Sequence, residues 1–447
     1  MADSKPPGAG FTLVAAVAAV ILVGFIFGAA LWILAGVVAI AVIGLNRFLA
    51  QTWAKCSVAK RLGGDAELKI GASLPIHVTV TNTSRVPVFW VLVEDLVPKW
   101  AMLYEPPTLE IDGPRLKVML LWPGESRDVE YEVTCNRRGY FQIGPTVLET
   151  GDFMGLYRRY RVGTDPQYIT VLPETVELTG YDISSRRPMG EIRMRDNIME
   201  DPTRLRGIRR WQPGDPMRRI HWSATARTGV LHSKVYEPTS IAGATLVLDM
   251  HSDSNPLQHE PIRSDLAITA AASIANLLHD QSQPFGLVSN ARDAVDRVRF
   301  DGWIGDHRVR DEAKQSATMM DANDRLRPVV MEADRGTLHL QEMRRTLARL
   351  ERTDGMTLPE LLSETEASIS SETTVVAIVQ TATPETLSAL IGLARRGKAV
   401  AVIINTFDMN DYSAIAGPLI AADIQTFHLA NDDSIRDLFR YVMLRAV

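Results

Sequence analysis

Apolar and polar residues follow three different patterns along the chain. Residues 11–45 contain no charged side chain. As one helix these 35 residues would extend roughly 50 Å, against a hydrocarbon core of about 30 Å. Two helices of about 17 residues, reversed at Gly28-Ala29-Ala30, match that thickness, so a transmembrane helical hairpin is expected over 11–46 after a tail at 1–10. A cleaved leader would have a shorter apolar region and a small-residue cleavage site. Lys5 at the entry and Arg47, Lys55, Lys60 and Arg61 at the exit place both ends on the cytoplasmic side of an inner membrane. Gly24 and Gly28 have the spacing of a small-residue packing motif. Trp32 and Trp53 suit a membrane interface or a buried position.

Over 66–175 the period falls to two. Ile76-His77-Val78-Thr79-Val80-Thr81 alternates cleanly, and Val129, Tyr131 and Val133 alternate with Glu130 and Glu132. Residues 86–93 and 169–172 add further strands, with Gly and Pro between them. Short strands at this spacing predict an immunoglobulin-like β-sandwich. Asn82-Thr83-Ser84 fits a glycosylation acceptor and reads equally as a turn, the expected role on the cytosolic side.

Beyond Tyr236 continuous apolar runs replace alternation. Strands are expected at 244–249, 285–288, 375–379 and 399–404, and helices at 262–279, 338–350, 384–395 and 433–442. Alternating strands and helices predict an α/β domain over 237–447 with a mostly parallel sheet covered on both faces.

Between the two lies a connector, 176–236, with a dense segment at 209–227. Pro213-Gly214 signals a turn, and Asp215-Pro216 has the form of an N-cap followed by a first-turn proline. A helix from there would turn Met217, Ile220 and Ala224 inward. Val230 to Tyr236 reads as a strand, and the charged run from Arg186-Arg187 to Arg195 as a solvated connector.

The places held by Arg209, Trp211, Gly214, Asp215, Arg218, Ile220, Trp222, Ala226 and Arg227 resemble the signature of the bacterial domain of unknown function 58 family. Arg138-Gly139-Tyr140-Phe141 with Gly144-Pro145 resembles it too, as does Asp152-Phe153-Met154-Gly155-Leu156-Tyr157. The last departs from the family's usual Asp-Pro-Phe-Gly-Leu-Phe at Phe153 and Met154. The resemblance implies a membrane-anchored protein whose α/β domain is von Willebrand A-like, working beside a MoxR-type AAA+ ATPase. In that fold, Asp-x-Ser-x-Ser after the first strand can hold magnesium through hard oxygen ligands. Here the positions are Asp249, His251 and Asp253, so both hydroxyls are missing, and Gln380-Thr381-Ala382 follows the later strand. A transition metal on these three residues and an ordinary capped polar loop are the alternatives.

Composition sets broad limits. With 23% charged and 46% hydrophobic residues and a net charge of -5, neither a disordered chain nor a many-span transporter fits. The two cysteines, Cys56 and Cys135, have no zinc spacing, and a disulfide is not expected. The chain has no Gly-x-Ser-x-Gly elbow, phosphate-binding Gly-x-x-x-x-Gly-Lys-Ser/Thr loop or His-Glu-x-x-His helix. His221 and His232 have no carboxylate at a fixed spacing. The arginines around Arg209 and Arg218, interleaved with Trp211 and Trp222, suit a domain junction, a docked protein or a nucleic acid. Acidic neighbours and an acidic chain favour the first two, so no nucleic acid is expected. The resulting expectation is a non-enzymatic assembly or adaptor protein with no cofactor. A metal-dependent ligand-binding module, and a hydrolase or nucleic-acid binder at the arginine segment, are the alternatives.

Overall fold

The computed structural model describes residues 9–26, 28, 30–102, 106–152, 158–178, 200–212, 217, 220–238, 243–301, 326–370 and 373–438. Two compact units divide the chain: Met1–Pro173 with Ala294–Ala322, and Glu174–Asp293 with Asn323–Val447.

The first unit opens with helices α1 (Ala9–Ile26) and α2 (Ala30–Cys56). α2 is long and apolar enough to cross a membrane. Gly28 reverses the chain at φ +63, a conformation that a Cβ disfavours. The helices are in close contact at Gly36, where a Cβ would lie 2.1 Å from Ile21 Cγ1. The expected pairing of Gly24 with Gly28 as a packing motif is therefore corrected. Gly28 is the turn, with open space where its Cβ would be, while Gly24 and Gly36 carry the contact.

α2 also continues past the expected end of the hairpin at 46 and enters the β-structure. Ala50 and Trp53 are buried, and Trp53 packs at a tilt on Phe89, with ring centroids 5.7 Å apart. Trp53 shares one apolar cluster with Ile76, Val91 and Val133. Its place is thus the β-core rather than a membrane interface. Arg161 Nη1 donates to the carbonyls of Ala54 (3.4 Å) and Lys55 (3.1 Å). These belong to the carbonyls that a helix C-terminus leaves without intrahelical partners.

The strands that follow are β1 (Ser57–Leu62), β2 (Ala66–Lys69), β3 (Ser73–Asn82), β4 (Val88–Asp95), β5 (Leu109–Asp112) and β6 (Leu116–Leu121). Then come β7 (Ser126–Cys135), β8 (Gly139–Ile143), β9 (Thr146–Gly151), β10 (Arg158–Val162) and β11 (Gln167–Leu172). They form sheets of order β1-β3-β7-β5, β10-β9-β4-β6 and β2-β11-β8. Alternation is realised as expected: Ile76, Val78 and Val80 from β3 and Val129, Tyr131 and Val133 from β7 are buried in one core. The β-structure begins at Ser57, earlier than the expected 66, because α2 runs into it without a linker. Asn82 is buried as a turn organiser: its Nδ2 donates to the carbonyls of Val86 and Leu121, and its Oδ1 accepts from the Ser84 amide. Both cysteines are free, and burial pushes the Cys135 thiol up to about 11.

In the second unit the expected connector starts docked. The Val176 amide donates to Ser273 Oγ at 2.9 Å, and Val176 and Leu178 pack on the apolar core. The elements are β12 (Glu200–Arg210), α3 (Trp222–Thr228), β13 (His232–Pro238), β14 (Ala244–Leu248), α4 (Ile262–Asp280), β15 (Phe285–Ser289) and β16 (Arg292–Asp293). After α5 (Ala294–Asp301), which belongs to the first unit, come β17 (Val329–Asp334), α6 (Thr337–Arg349), β18 (Leu350–Glu351) and α7 (Leu358–Glu364). β19 (Thr374–Val379), α8 (Pro384–Arg395), β20 (Val400–Ile404), α9 (Met409–Ala421), β21 (Gln425–His428) and α10 (Asp432–Arg436) complete the described chain.

The main sheet has the order β17-β15-β14-β19-β20-β21. Every pair is parallel except β15 with β17, so the sheet is mixed, with one antiparallel edge. It is covered on both faces. Leu246 and Leu248 of β14 join residues of α4 and α6, while Val247 joins residues of α7, α8 and α9. That double burial explains the continuous apolar runs.

Candidate functional site

The sheet's order reverses between β14 and β19, since β15 lies to one side of β14 and β20 beyond β19. In open α/β sheets the carboxyl ends of the strands at such a reversal form the usual ligand crevice. At that edge each apolar strand is followed by a polar residue. Asp249 follows β14, Asn290 follows β15, Gln380 follows β19 and Asn405 follows β20, and all four are buried.

Asp249 Oδ1 accepts from Asn290 Nδ2 at 2.8 Å and from the His251 amide at 3.1 Å. Its Oδ2 is buried without a hydrogen-bond partner, as is Gln380 Oε1 at the end of the neighbouring strand. His251 Nδ1 accepts from the Asp253 amide at 3.2 Å, which leaves the imidazole proton on Nε2. Asn255 Nδ2 donates to the carbonyls of Asp249 and His251, and Arg352 clamps the loop through the carbonyls of Ser252 and Asn255.

The structure brings Asp249 and His251 together but turns the Asp253 side chain outward, 85% exposed. Among the described residues no three His, Cys, Asp or Glu side chains are grouped to hold a metal. Magnesium does not fit this loop as a three-oxygen set, because a ring nitrogen and a solvated carboxylate stand where hydroxyls would be needed.

A second feature of this edge was not legible in the sequence. Arg263 of α4 is buried, with the Phe407 ring stacked 3.3 Å from its guanidinium carbon. Its Nη1 donates to Asn405 Oδ1, Leu429 O and Ala430 O, all neutral acceptors, while Nε and Nη2 have no hydrogen-bond partner. Burial lowers its pKa to about 10. The four strand-end polar residues do have a sequence signal, since each is the first polar residue after an apolar run; Arg263 has none.

The family signature lies on the β12–β13 ribbon and its connection. The Trp211 amide donates to Leu231 O at 2.9 Å, and Ile220 is bridged to Ser233 and buried. Most of the helix expected from Asp215 lies outside the described residues; a described helix runs from Trp222, capped by His221, whose Nδ1 accepts from the Ala224 amide at 3.0 Å. Gly229 closes it in the left-handed conformation at φ 71. Met217, expected inward, is 71% exposed, whereas Ile220, whose amide donates to the Met217 carbonyl at 3.1 Å, is buried. Trp222 is 66% exposed and no residue of α3 is buried. Arg209 and Arg227 are exposed and Trp211 is half-buried, while Gly214, Asp215 and Arg218 lie outside the described residues. So does 153–157, which carries most of the Asp152 to Tyr157 resemblance. His221 and His232 are engaged with neighbouring backbone, His232 Nδ1 lying 2.7 Å from Val230 O.

These features define a chain with an apolar N-terminal helix welded to stacked β-sheets, and an α/β unit preceded by a ribbon with an exposed aromatic helix. Residues 207–300 match the model of the family described as Protein of unknown function DUF58, and that segment belongs to the DUF58 family. The chain is 24% identical over 196 residues to the Uncharacterized protein YeaD of Bacillus subtilis (strain 168). That similarity covers 43% of this chain and 48% of the relative, so the chain spans about half the length of the curated relative it matches. Among solved structures it is similar to the CARDB domain of the PF1109 protein from Pyrococcus furiosus in complex with di-metal ions. There the identity is 13% and the TM-score 0.19, over 26% of this chain and 87% of that one. It is also similar to the ASH / PapD-like domain of human CEP192, at 11% identity and TM-score 0.18, over 26% of this chain and 84% of that one.

Proposed function

We propose that the protein is a membrane-anchored, non-enzymatic adaptor that presents its α/β unit to a MoxR-type AAA+ ATPase in the cytosol and recruits it to an inner-membrane client. The observation that carries this reading is the exposure of Met217 and Trp222 on the family's signature segment. The two are exposed five positions apart on one segment, and aromatic and Met side chains are enriched where proteins dock. α1 and α2 form the transmembrane hairpin in this reading. The parallel strands with helices on both faces support a von Willebrand A-like α/β unit, and the β-sheets of the first unit an immunoglobulin-like module.

Affinity capture of the full-length protein from detergent-solubilised native membranes, with an ATP analogue, tests it. An AAA+ ATPase enriched with the wild type and lost with the Met217→Ser/Trp222→Ala double variant supports the adaptor. Equal recovery with both removes the signature from the interface.

A second reading, ligand binding at the reversal point of the sheet, is favoured by the two partnerless acceptors, Asp249 Oδ2 and Gln380 Oε1. Buried acceptors call for a donor, a cation or a water. A manganese-dependent rise in melting temperature, abolished by Asp249→Ala, is its expected sign. No shift at millimolar metal disposes of the metal form.

A further inference from the structure

The edge strand β10 reads Arg158-Arg159-Tyr160-Arg161-Val162 and lies about 100 residues beyond the apolar helices in sequence, yet it packs beside the end of α2. Arg161 is hydrogen-bonded to the carbonyls of Ala54 and Lys55, so the strand is fixed at a known height on the helix. Arg47 is the first charged side chain after the apolar stretch. From Asn46 to Ala54 the helix rises about 12 Å. A headgroup layer occupies about 5–8 Å outside the hydrocarbon edge, and the Debye length at physiological salt is about 8 Å. The strand therefore stands within screening distance of the lipid headgroups. Arg158, Arg159, Tyr160 and Arg161 are exposed, as are Arg47 and Lys55 on the helix.

Arg158 is offset by its ion pair with Glu149 of β9 at 3.4 Å, so we propose that Lys55 with Arg159 and Arg161 is a docking surface for an anionic phospholipid bilayer, with Tyr160 at headgroup level. The inference rests on the reading of α1 and α2 as membrane-spanning. Edge protection against strand pairing would explain charges on an edge strand. It does not call for their placement at the helix exit. The surface holds the first unit upright on anionic leaflets, since the buried Trp53 leaves no flexible joint between helix and sheet.

The test uses the full-length chain in nanodiscs of pure phosphatidylcholine and of a 7:3 phosphatidylcholine–phosphatidylglycerol mixture. Amide exchange is followed across β10. Exchange there should slow by about fivefold or more in the anionic discs. The protection should vanish at high salt and in the Lys55→Glu/Arg159→Glu double variant, whose unfolding midpoint in detergent should match the wild type. Equal exchange in both lipids, or protection indifferent to salt and to the double variant, overturns the proposal. Failure of the chain to remain in either disc overturns the membrane reading itself and is seen separately, as protein lost from the disc fraction.

Discussion

Replacing Trp53 by Ala should unfasten the N-terminal helix from the β-structure. Trp53 is fully buried on the last turns of α2, against Phe89 and within the core shared by β3, β4 and β7. A buried tryptophan removes about 150–250 Å² from water. At about 25 cal/mol per Å² that gives roughly 4–6 kcal/mol as an upper figure. Measured truncations of this kind fall at about 3–5 kcal/mol, since the cavity relaxes only in part. The first unit should therefore lose about 3–5 kcal/mol in urea unfolding of the full-length chain in mild detergent, followed by amide exchange of β3 and β7. Trp32→Ala is the control. Trp32 is 62% exposed on the same helix, outside the β-core, and its loss should change the same unfolding by less than about 0.5 kcal/mol. Equal and small effects from the two variants would refute the claim that α2 and the β-structure form one body.

Cys135 gives a pH dependence. Its folded thiol ionises at about 11 against 9.0 for an ordinary one, so the stability it contributes is full below about pH 9 and is lost as pH rises to 11. The loss is at most about 3 kcal/mol, and Cys135→Ala should remove it. Tyr131, pushed up by burial and by the Asp95 carboxylate, adds a further loss above pH 10 that this variant retains. Gly36→Leu should part the two N-terminal helices, because Ile21 already occupies the space a Cβ would take. A lower melting temperature in detergent than for Gly44→Leu, where the space is open, is the expected reading.

The sequence was most readable where one physical rule acted alone. Strict alternation gave β3 and β7 because one face meets the core and the other meets solvent. Continuous apolar runs gave β14, β19 and β20 because both faces are covered. β17 escaped notice because it is an edge strand whose alternate residues are exposed, so its Glu332 and Asp334 diluted the apolar signal. At the signature, helical spacing put Met217 and Ile220 on one inward face, but only Ile220, bridged to Ser233, is buried. Asp249 and His251 were recognised by position, and the capped polar loop weighed for them is what the backbone amides of His251 and Asp253 make of their side chains. Arg263 and Arg161 were invisible because their partners come from distant parts of the chain, Asn405 and Phe407 for one and Ala54 and Lys55 for the other.

The adaptor reading is tested most directly by titrating a purified MoxR-type ATPase from the same cell, in its ATP-analogue state, onto the full-length protein in nanodiscs. Saturable binding that weakens at least about tenfold in the Met217→Ser/Trp222→Ala variant, with the fold intact, is the predicted result. No binding with the analogue present, or binding at the same affinity to the variant, would contradict it.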